Sequence, residues 1–256
     1  MGTLGTHERQ QLQEEQYQFP YHYLDLRVPE YDLFFHVEYV SYLNLVKERL
    51  APFYGQLVLD VGCGDGRFCH EMRDENVRMI GVDISEKALR FARAFSPDFE
   101  FICTDVCEMS LSDTPDAVVL IETLEHIPPD QIPRFVARLA RLVRVGGRLV
   151  VTVPSVHRPL IAKHFQHFTE ESLRAVFEDD FEMIECVGYA RRGLHWAIFA
   201  RTRGLLRRLL IGWLDKSRSI RALFTLLKEH QVRHFGIGNP EECAGLVAVF
   251  ERKVQE

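Results

Sequence analysis

The chain has 256 residues, of which 46% are hydrophobic and 27% charged, and its formal net charge at pH 7 is −6. This composition is typical of a globular protein with a sizeable core, and no run of about 18 apolar residues predicts a transmembrane helix. The first residues are polar and rich in Gln and Glu, unlike a secretory signal. Six scattered cysteines without a C-x-x-C pair indicate a reduced, cytosolic protein without a structural zinc site.

Charge is distributed unevenly along the chain. Residues 191–234 contain nine arginines and two lysines against one aspartate and one glutamate, so the remainder is strongly acidic. A basic block in an acidic chain indicates a surface with its own partner, such as phosphate or anionic lipid.

Apolar periodicity predicts the order of elements. Residues 17–55 are aromatic-rich and look helical, so this segment needs another surface to pack against. Beyond it, short apolar runs alternate with helical patterns, which predicts a mostly parallel sheet covered on both faces. The predicted strands are Leu57–Val61, Met79–Asp83, Phe99–Thr104, Ala117–Ile121 and Arg148–Val153. The predicted helices between them lie near Arg67–Arg73, Glu86–Ala94 and Pro133–Leu142.

The last part of the chain completes this pattern. Pro154 is expected to end the fifth strand, and Thr169 is predicted to cap the next helix. Two further strands are predicted at Phe181–Tyr189 and Leu246–Arg252. We expect one domain over residues 1–256. It would comprise a helical cover (1–55), a core (56–190), a basic insertion (191–240) and the last strand (241–256).

The stretch from Leu57 to Arg67 is the most informative. A buried strand runs into glycines at 62, 64 and 66, and a helix follows. Glycines here permit a tight turn and let backbone N–H groups approach a ligand closely. The spacing is G-x-G-x-G, whereas dinucleotide-binding oxidoreductases have G-x-G-x-x-G. Taken alone, such a turn is also compatible with an ordinary loop.

Acidic residues follow the next two predicted strands. Asp83 ends the second strand, where a carboxylate can accept hydrogen bonds from ribose hydroxyls. Asp105 follows the third strand, where it could face an adenine amino group. Either acid alone could be a solvated strand end, but the two together, after a glycine turn, indicate a nucleoside-containing ligand.

These features resemble the class I S-adenosylmethionine (SAM)-dependent methyltransferases over roughly residues 57–155. The resemblance implies a Rossmann-like α/β fold with seven strands in the order 3-2-1-4-5-7-6, the last one antiparallel. It also implies a SAM site. Asp60, Gly62, Cys63 and Gly64 would line the methionine part, Asp83 would hold the ribose with Ile84 against the adenine, and Asp105 and Val106 would lie at the adenine edge.

The family has its active site just past the fourth strand, where this sequence reads E-T-L-E-H from Glu122 to His126. A hydroxyl acceptor needs a base, or a metal that lowers its pKa, to lose its proton. The motif resembles the E-x-x-E-H of ubiquinone-pathway O-methyltransferases. It also resembles that of small-RNA 2′-O-methyltransferases, which hold a metal with a later histidine. The resemblance implies two sets of roles: Glu122, Glu125, His126 and His167 as ligands of an ion such as Mg²⁺, or, without a metal, Glu122 at the cofactor and His126, Glu125 and His167 in catalysis.

Residues 203–228 lie in the basic block and are predicted to form an amphipathic segment. On a helical wheel, Trp213 and several leucines fall opposite Arg207 and Arg208. Such a helix can lie in a membrane interface or cover the active site as a lid. Binding RNA phosphates is a third role, which the acidic remainder of the chain disfavours.

We therefore expect a cytoplasmic SAM-dependent methyltransferase, peripheral at the membrane if the insertion binds lipid. The expected reaction is O-methylation of a small-molecule or lipid-linked acceptor, with the aromatic run Tyr21–Tyr23 closing over the cofactor. One alternative is a metal-dependent RNA 2′-O-methyltransferase. Another is a non-catalytic partner subunit with this fold, which the intact Gly62, Gly64, Asp83 and Asp105 argue against. The sequence leaves the acceptor and the oligomeric state open.

Overall fold

The computed structural model describes residues 4–24, 33–191, 226 and 237–254. Seven strands form one sheet in the order β3-β2-β1-β4-β5-β7-β6. The strands are β1 (Leu57–Val61), β2 (Arg78–Asp83), β3 (Glu100–Cys103), β4 (Ala117–Ile121), β5 (Arg148–Pro154), β6 (Phe181–Arg191) and β7 (Cys243–Arg252). Strands β1 to β5 pair in parallel, and β7 runs antiparallel between β5 and β6. The predicted fold class and strand order are confirmed.

Helices pack on both faces of this sheet. They are α1 (Thr6–Glu15), α2 (Leu33–Leu50), α3 (Arg67–Glu71), α4 (Glu86–Phe95), α5 (Ile132–Leu142) and α6 (Glu170–Phe177). Short 3-10 helices occupy Gln16–Gln18, Tyr21–Tyr23, Ala51–Phe53, Leu124–His126 and Pro240–Glu242. Among the described helices, none has the length and apolarity needed to cross a bilayer.

The central strands are buried on both faces because helices cover both sides of the parallel sheet. All five residues of β1 are buried. Its alternate side chains enter two separate apolar clusters: Leu59 belongs to the one that contains Leu139 of α5, and Val58 to the one that contains Val46 of α2. This two-residue alternation is why an almost continuous apolar run encodes the strand.

Several boundaries differ from the predictions for local reasons. Strand β5 ends at Pro154, as predicted, but includes this proline, which pairs with Gly245 and whose carbonyl accepts a hydrogen bond from Phe168 N. A proline lacks the N–H but keeps the acceptor, so one side of the ladder continues. Strand β7 begins at Cys243, three residues before the predicted Leu246. Residues 16–23 form two 3-10 turns rather than a continuous helix.

The strand register brings the candidate residues to one edge of the sheet. Val61, Val82, Ile121 and Thr152 lie near the carboxyl ends of their strands, each pairing with a residue of a neighbouring strand. Ligands of open α/β sheets bind at this edge. Strand β6 ends and strand β7 begins at the same edge, at Arg191 and Cys243, so the predicted insertion 191–240 connects the two strands there. The predicted amphipathic segment 203–228 lies outside the described residues, apart from Leu226.

Candidate active site

A cavity of about 530 Å³ opens at the carboxyl edge of the sheet. The glycine turn after β1 and the end of β2 line one part of it, and the turn after β4 lines another. The N-terminal segment also contributes to the wall, through residues that include Arg9, Tyr17 and His22. All the predicted cofactor-binding residues line this one cavity: Asp60, Gly62, Cys63, Gly64, Asp83, Ile84, Asp105, Val106 and Glu122.

The glycine turn adopts backbone angles that other residues reach only with strain. Gly62 has φ +75° and Gly64 has φ +55°, both in the left-handed region. A Cβ atom at Gly62 would lie 2.5 Å from the Thr123 side chain, and one at Gly64 would lie 2.5 Å from Tyr17 Oη. The turn therefore requires glycine both for its conformation and for the close approach of its neighbours.

Asp83 connects the end of β2 to the glycine turn. Its Oδ2 accepts a hydrogen bond from Gly64 N at 2.8 Å, and its Oδ1 accepts one from Ser85 N at 2.8 Å. Burial raises the pKa of this carboxyl above its usual value, although the two N–H donors oppose the shift. Each carboxylate oxygen retains capacity for another donor, so Asp83 can shape the turn and also accept from a ligand hydroxyl.

The adenine-side residues differ in exposure. Ile84 lines the cavity with 64% of its surface exposed, whereas Val106 is buried. Asp105 is exposed, and its Oδ1 accepts a hydrogen bond from Cys107 N at 2.8 Å. An apolar side chain left open beside two acids provides a surface that a flat heterocycle can cover.

Asp60 is almost completely buried at the end of β1. Cys69 Sγ lies 3.5 Å from Asp60 Oδ2 and donates to it. Desolvation raises the pKa of Asp60 to about 7. A buried carboxyl in this wall is a suitable counter-charge for a cationic ligand group, which would favour its ionised form.

The sequence patterns did not identify the residues that fasten the N-terminal segment to the glycine turn. Asp65 is fully buried, and its carboxylate contacts His22 Nδ1 at 2.9 Å and His22 N at 3.3 Å. Arg67 Nη1 donates to His22 O at 2.7 Å. These partners are more than 40 residues apart, so no local pattern indicated them. These contacts hold His22 of the Tyr21–Tyr23 run beside the glycine turn, and the closing of this run over the cofactor stays a prediction.

Glu122 occupies a strained position directly after β4. Its φ is +50°, which is uncommon for a residue other than glycine. Its Oε1 accepts hydrogen bonds from Tyr189 Oη at 2.9 Å and Thr152 Oγ1 at 3.2 Å. Burial raises the pKa of the Glu122 carboxyl, and these two donors oppose that shift.

Glu125 and His126 lie on the short helical turn that follows. Glu125 is 1% exposed, and within the described chain neither of its carboxylate oxygens has a hydrogen-bond partner. Burial, reinforced by the charge of Glu122, raises its pKa well above the usual value. Burial and the Lys163 ammonium lower the pKa of His126 to about 3, so its ring is neutral at pH 7.

Hydrogen bonds fix the tautomers of the histidines around Glu125. His126 Nδ1 lies 3.2 Å from Lys163 O, and since a carbonyl only accepts, this nitrogen carries the proton. His167 Nδ1 likewise donates to Arg158 O at 3.0 Å, so its Nε2 accepts from His164 Nδ1 at 2.8 Å. In both His126 and His164 the Nε2 lone pair therefore remains outside these bonds.

Three of these side chains lie close enough together to bind one metal ion. Within the described residues, ligand atoms of Glu125, His126 and His164 lie within 4.8 Å of one another. The predicted ligand set instead contained Glu122 and His167 besides Glu125 and His126. In the structure, Glu122 accepts hydrogen bonds from Tyr189 and Thr152, and His167 Nε2 accepts one from His164 Nδ1. His164 and His167 are only three residues apart, and the sequence could not indicate which one enters the cavity.

Comparisons with known proteins agree with this geometry. Residues 58–147 match a family model described as a methyltransferase domain. The ubiquinone biosynthesis O-methyltransferase of Thiobacillus denitrificans is 38% identical over 103 residues, which are 38% of this chain and 44% of that protein. The chain thus spans under half the length of the curated relatives it matches.

Solved structures share the fold at low identity. The N-methyltransferase NodS of Bradyrhizobium japonicum WM9 matches with a TM-score of 0.56 and 14% identity, over 86% of this chain and 97% of that one. A magnesium protoporphyrin IX methyltransferase of Synechocystis PCC 6803, solved with bound SAM, matches with a TM-score of 0.52 and 22% identity, over 61% of this chain and 75% of that one. The strand order and the glycine turn agree with the match of residues 58–147 to a methyltransferase domain model.

Proposed function

We propose that the protein transfers the methyl group of SAM to an oxygen atom of a small-molecule acceptor. The observation that best supports this function is the continuity of one cavity. It extends from the glycine turn and Asp83 to the buried Glu125, His126 and Lys163. A cofactor and an acceptor can therefore occupy adjoining parts of the same enclosed space.

The cofactor part of the cavity has the chemistry that SAM requires. The buried Asp60 would face the methionine part, and Asp83 would accept from the ribose hydroxyls. Ile84 offers its exposed apolar surface to the adenine, with Val106 and Asp105 nearby. Bound SAM supplies an already activated methyl group, so the protein contributes positioning and the exclusion of water.

At the acceptor end, side chains can take up the proton that a hydroxyl acceptor loses. Glu125 is the stronger candidate base, because its pKa is raised and its two oxygens have no partner in the described chain. His126 is a weaker base at a pKa of about 3, and its neutral Nε2 is better suited to accepting a hydrogen bond. His167 acts through His164, so we assign it a positioning role.

The acceptor end of the cavity also offers three groups that fit a divalent cation, and such a cation would lower the pKa of a bound hydroxyl. Glu125, His126 and His164 would hold it. Metal-binding histidines usually donate their other ring N–H to a carbonyl, carboxylate or water. His126 does so to Lys163 O, and His164 donates to His167. The nearby Lys163 ammonium opposes a cation, whereas the two buried glutamates favour one.

The names of similar proteins support the proposed class of acceptor. One relative is named for ubiquinone biosynthesis and a structural neighbour for magnesium protoporphyrin IX, both of them small molecules. These names favour a small-molecule acceptor over RNA. We extend the proposal to lipid-linked acceptors, reached by a cytoplasmic enzyme whose basic segment 203–228 contacts the membrane surface.

A labelling experiment tests the function. Purified protein, cell extract and SAM labelled in its methyl group are incubated together, and the products are separated into organic, small aqueous and nucleic-acid fractions. Asp83→Ala is the inactive comparison, and Asp98→Ala is its matched control because Asp98 is an exposed carboxylate outside the cavity.

The fractions decide between acceptors. Asp83-dependent label in the small aqueous or organic fraction supports the proposal, and label in the organic fraction also supports the lipid-linked extension. Label found only in RNA would overturn the choice of acceptor. If no fraction is labelled and SAM does not bind, the catalytic assignment is wrong.

The cation is tested separately from activity. Co²⁺ absorbs visible light when histidine nitrogens coordinate it, so titration with Co²⁺ reports ligation directly. We expect the signal in the wild type and in His7→Ala, which alters an exposed histidine of α1. We expect it to disappear in His164→Ala. A signal that persists in His164→Ala would show that these three residues do not form the cation site.

A further inference from the structure

The loop that carries Lys163 and His164 into the cavity is held on one side by the E-x-x-E-H turn. His126 Nδ1 donates to Lys163 O at 3.2 Å. Phe165 N donates to Glu125 O at 2.9 Å. These two bonds set the backbone of the loop against the acceptor end of the cavity.

Arg9 of helix α1 also contacts this loop. Its Nη1 donates to Ala162 O at 2.6 Å and also to His164 O. Its guanidinium carbon lies 4.8 Å from the centroid of the Phe165 ring. A planar guanidinium can bind two carbonyls through its N–H groups while its flat face covers an aromatic ring, and a lysine ammonium has no such face.

The segment that contains Arg9 also reaches the cofactor end of the cavity. Tyr17 lies against Gly64, and His22 pairs with the buried Asp65 of the glycine turn. Between these contacts, Gln16 Oε1 accepts a hydrogen bond from Lys163 Nζ at 2.9 Å. Residues 9–22 therefore connect the glycine turn with the loop that supplies the acceptor-side groups.

We propose that Arg9 is a positioning residue of the acceptor site, which fixes Lys163 and His164 when the N-terminal segment covers the cofactor. This inference rests on the proposed function, because it assigns SAM to the glycine-turn end. Binding of the cofactor and assembly of the acceptor site are then linked, so bound SAM stabilises the complete acceptor site.

Amide hydrogen exchange of the full chain measures this link, with S-adenosylhomocysteine as the probe. Wild type, Arg9→Ala and Arg9→Lys are compared, and Arg78→Ala is the control because Arg78 pairs with Asp113 on the surface, outside the cavity. Without probe, we expect residues 162–168 to exchange at least roughly tenfold faster in Arg9→Ala, since two charge-assisted bonds are lost. Arg78→Ala should match the wild type.

The probe then separates the two proposals. We expect it to slow exchange over residues 162–168 in the wild type, and to bind Arg9→Ala with an affinity within a few-fold of normal while the loop stays unprotected. Unchanged exchange in Arg9→Ala without probe would overturn the positioning role. Protection of the loop in Arg9→Ala equal to that in the wild type would overturn the link. If the wild type does not bind the probe, the proposed function fails, and the comparison without probe still decides the role of Arg9.

Kinetics provide a readout that loss of fold would not reproduce. The assay uses saturating SAM and the extract fraction that takes up label in the labelling experiment. We expect Arg9→Ala to lower turnover roughly ten- to a hundredfold, because the loop is misplaced. The KM for SAM should change little. Arg9→Lys should recover part of the turnover, because it restores N–H donors and the positive charge but not the planar face. Turnover in Arg9→Ala equal to the wild type would refute the assignment.

Discussion

Tyr189 Oη donates a hydrogen bond of 2.9 Å to Glu122 Oε1, which connects strand β6 to the strained residue that follows β4. Tyr189 is fully buried, and a Cβ atom at Gly245 would lie only 2.1 Å from its ring. The ring is thus wedged against β7 while its hydroxyl reaches the cavity wall. Two antiparallel strands outside the matched methyltransferase region thereby help to hold a residue that lines the cavity.

Tyr189→Phe tests this contact with little change of shape. The ring stays in place, and Glu122 loses one of its two donors, which contributes about 1.5–3 kcal/mol when the acceptor is charged. We expect kcat/KM to fall roughly ten- to a hundredfold. Tyr54→Phe, at the opposite end of the sheet before β1, should remain near the wild type. Normal turnover in Tyr189→Phe would mean that Glu122 needs no donor from β6.

Asp83→Ala should weaken binding of S-adenosylhomocysteine about a hundredfold or more, because two ribose hydrogen bonds to a carboxylate are lost. The turn also loses the acceptor for Gly64 N. Asp83→Asn keeps one oxygen acceptor and should bind with intermediate affinity. Titration calorimetry measures both, with Asp98→Ala as the control. An affinity of Asp83→Ala near that of the wild type would remove the ribose assignment.

The close contact of Tyr17 with Gly64 can be measured with a double-mutant cycle. Gly64→Ala places a methyl group 2.5 Å from Tyr17 Oη and also strains a backbone with φ +55°. Tyr17→Ala removes the steric conflict but leaves the strain. We expect Gly64→Ala to lower the melting temperature less in the Tyr17→Ala background than in the wild type. Equal losses in both backgrounds would show that Tyr17 does not rest on the turn.

Asp60 makes the free energy of unfolding depend on pH. Its pKa is about 7 in the fold against about 3.8 in an unfolded chain, so the folded state binds the extra proton between these values. Its contribution to stability is complete below pH 4 and is lost as the pH rises through 7. From pH 5 to pH 8 the wild type should lose about 3 kcal/mol more than Asp60→Asn.

Urea unfolding at the two pH values measures that difference. Other buried carboxyls with a raised pKa, such as Glu122 and Asp83, shift stability in the same direction, so the comparison concerns only the difference between variants. Asp98→Asn changes an exposed carboxylate and should follow the wild type. Equal losses in the wild type and Asp60→Asn would show that Asp60 is ionised in the folded protein.

The sequence predicted what short-range patterns encode. The apolar run Leu57–Val61 and the glycines after it fixed a strand and a turn that the structure reproduces. Asp83 was identifiable because parallel strands end at one edge. The sequence could not identify which histidine lines the cavity, because the geometry of the loop alone decides between His164 and His167. Nor could burial of Glu125 be read from its motif, because it depends on the loop from Ala162 to Phe165 packing over it.

The placement of the basic insertion has a consequence for how such an enzyme can diversify. Arg191 and Cys243 are paired on β6 and β7, so the chain between these two residues connects two neighbouring antiparallel strands. The entropic cost of closing a loop grows only slowly with its length. A different segment could therefore be exchanged at this point, beside the site, while the strands that hold the cofactor keep their register. Under the proposed function, the connection between β6 and β7 can therefore change without a change in the strands that line the methyl-donor end of the cavity.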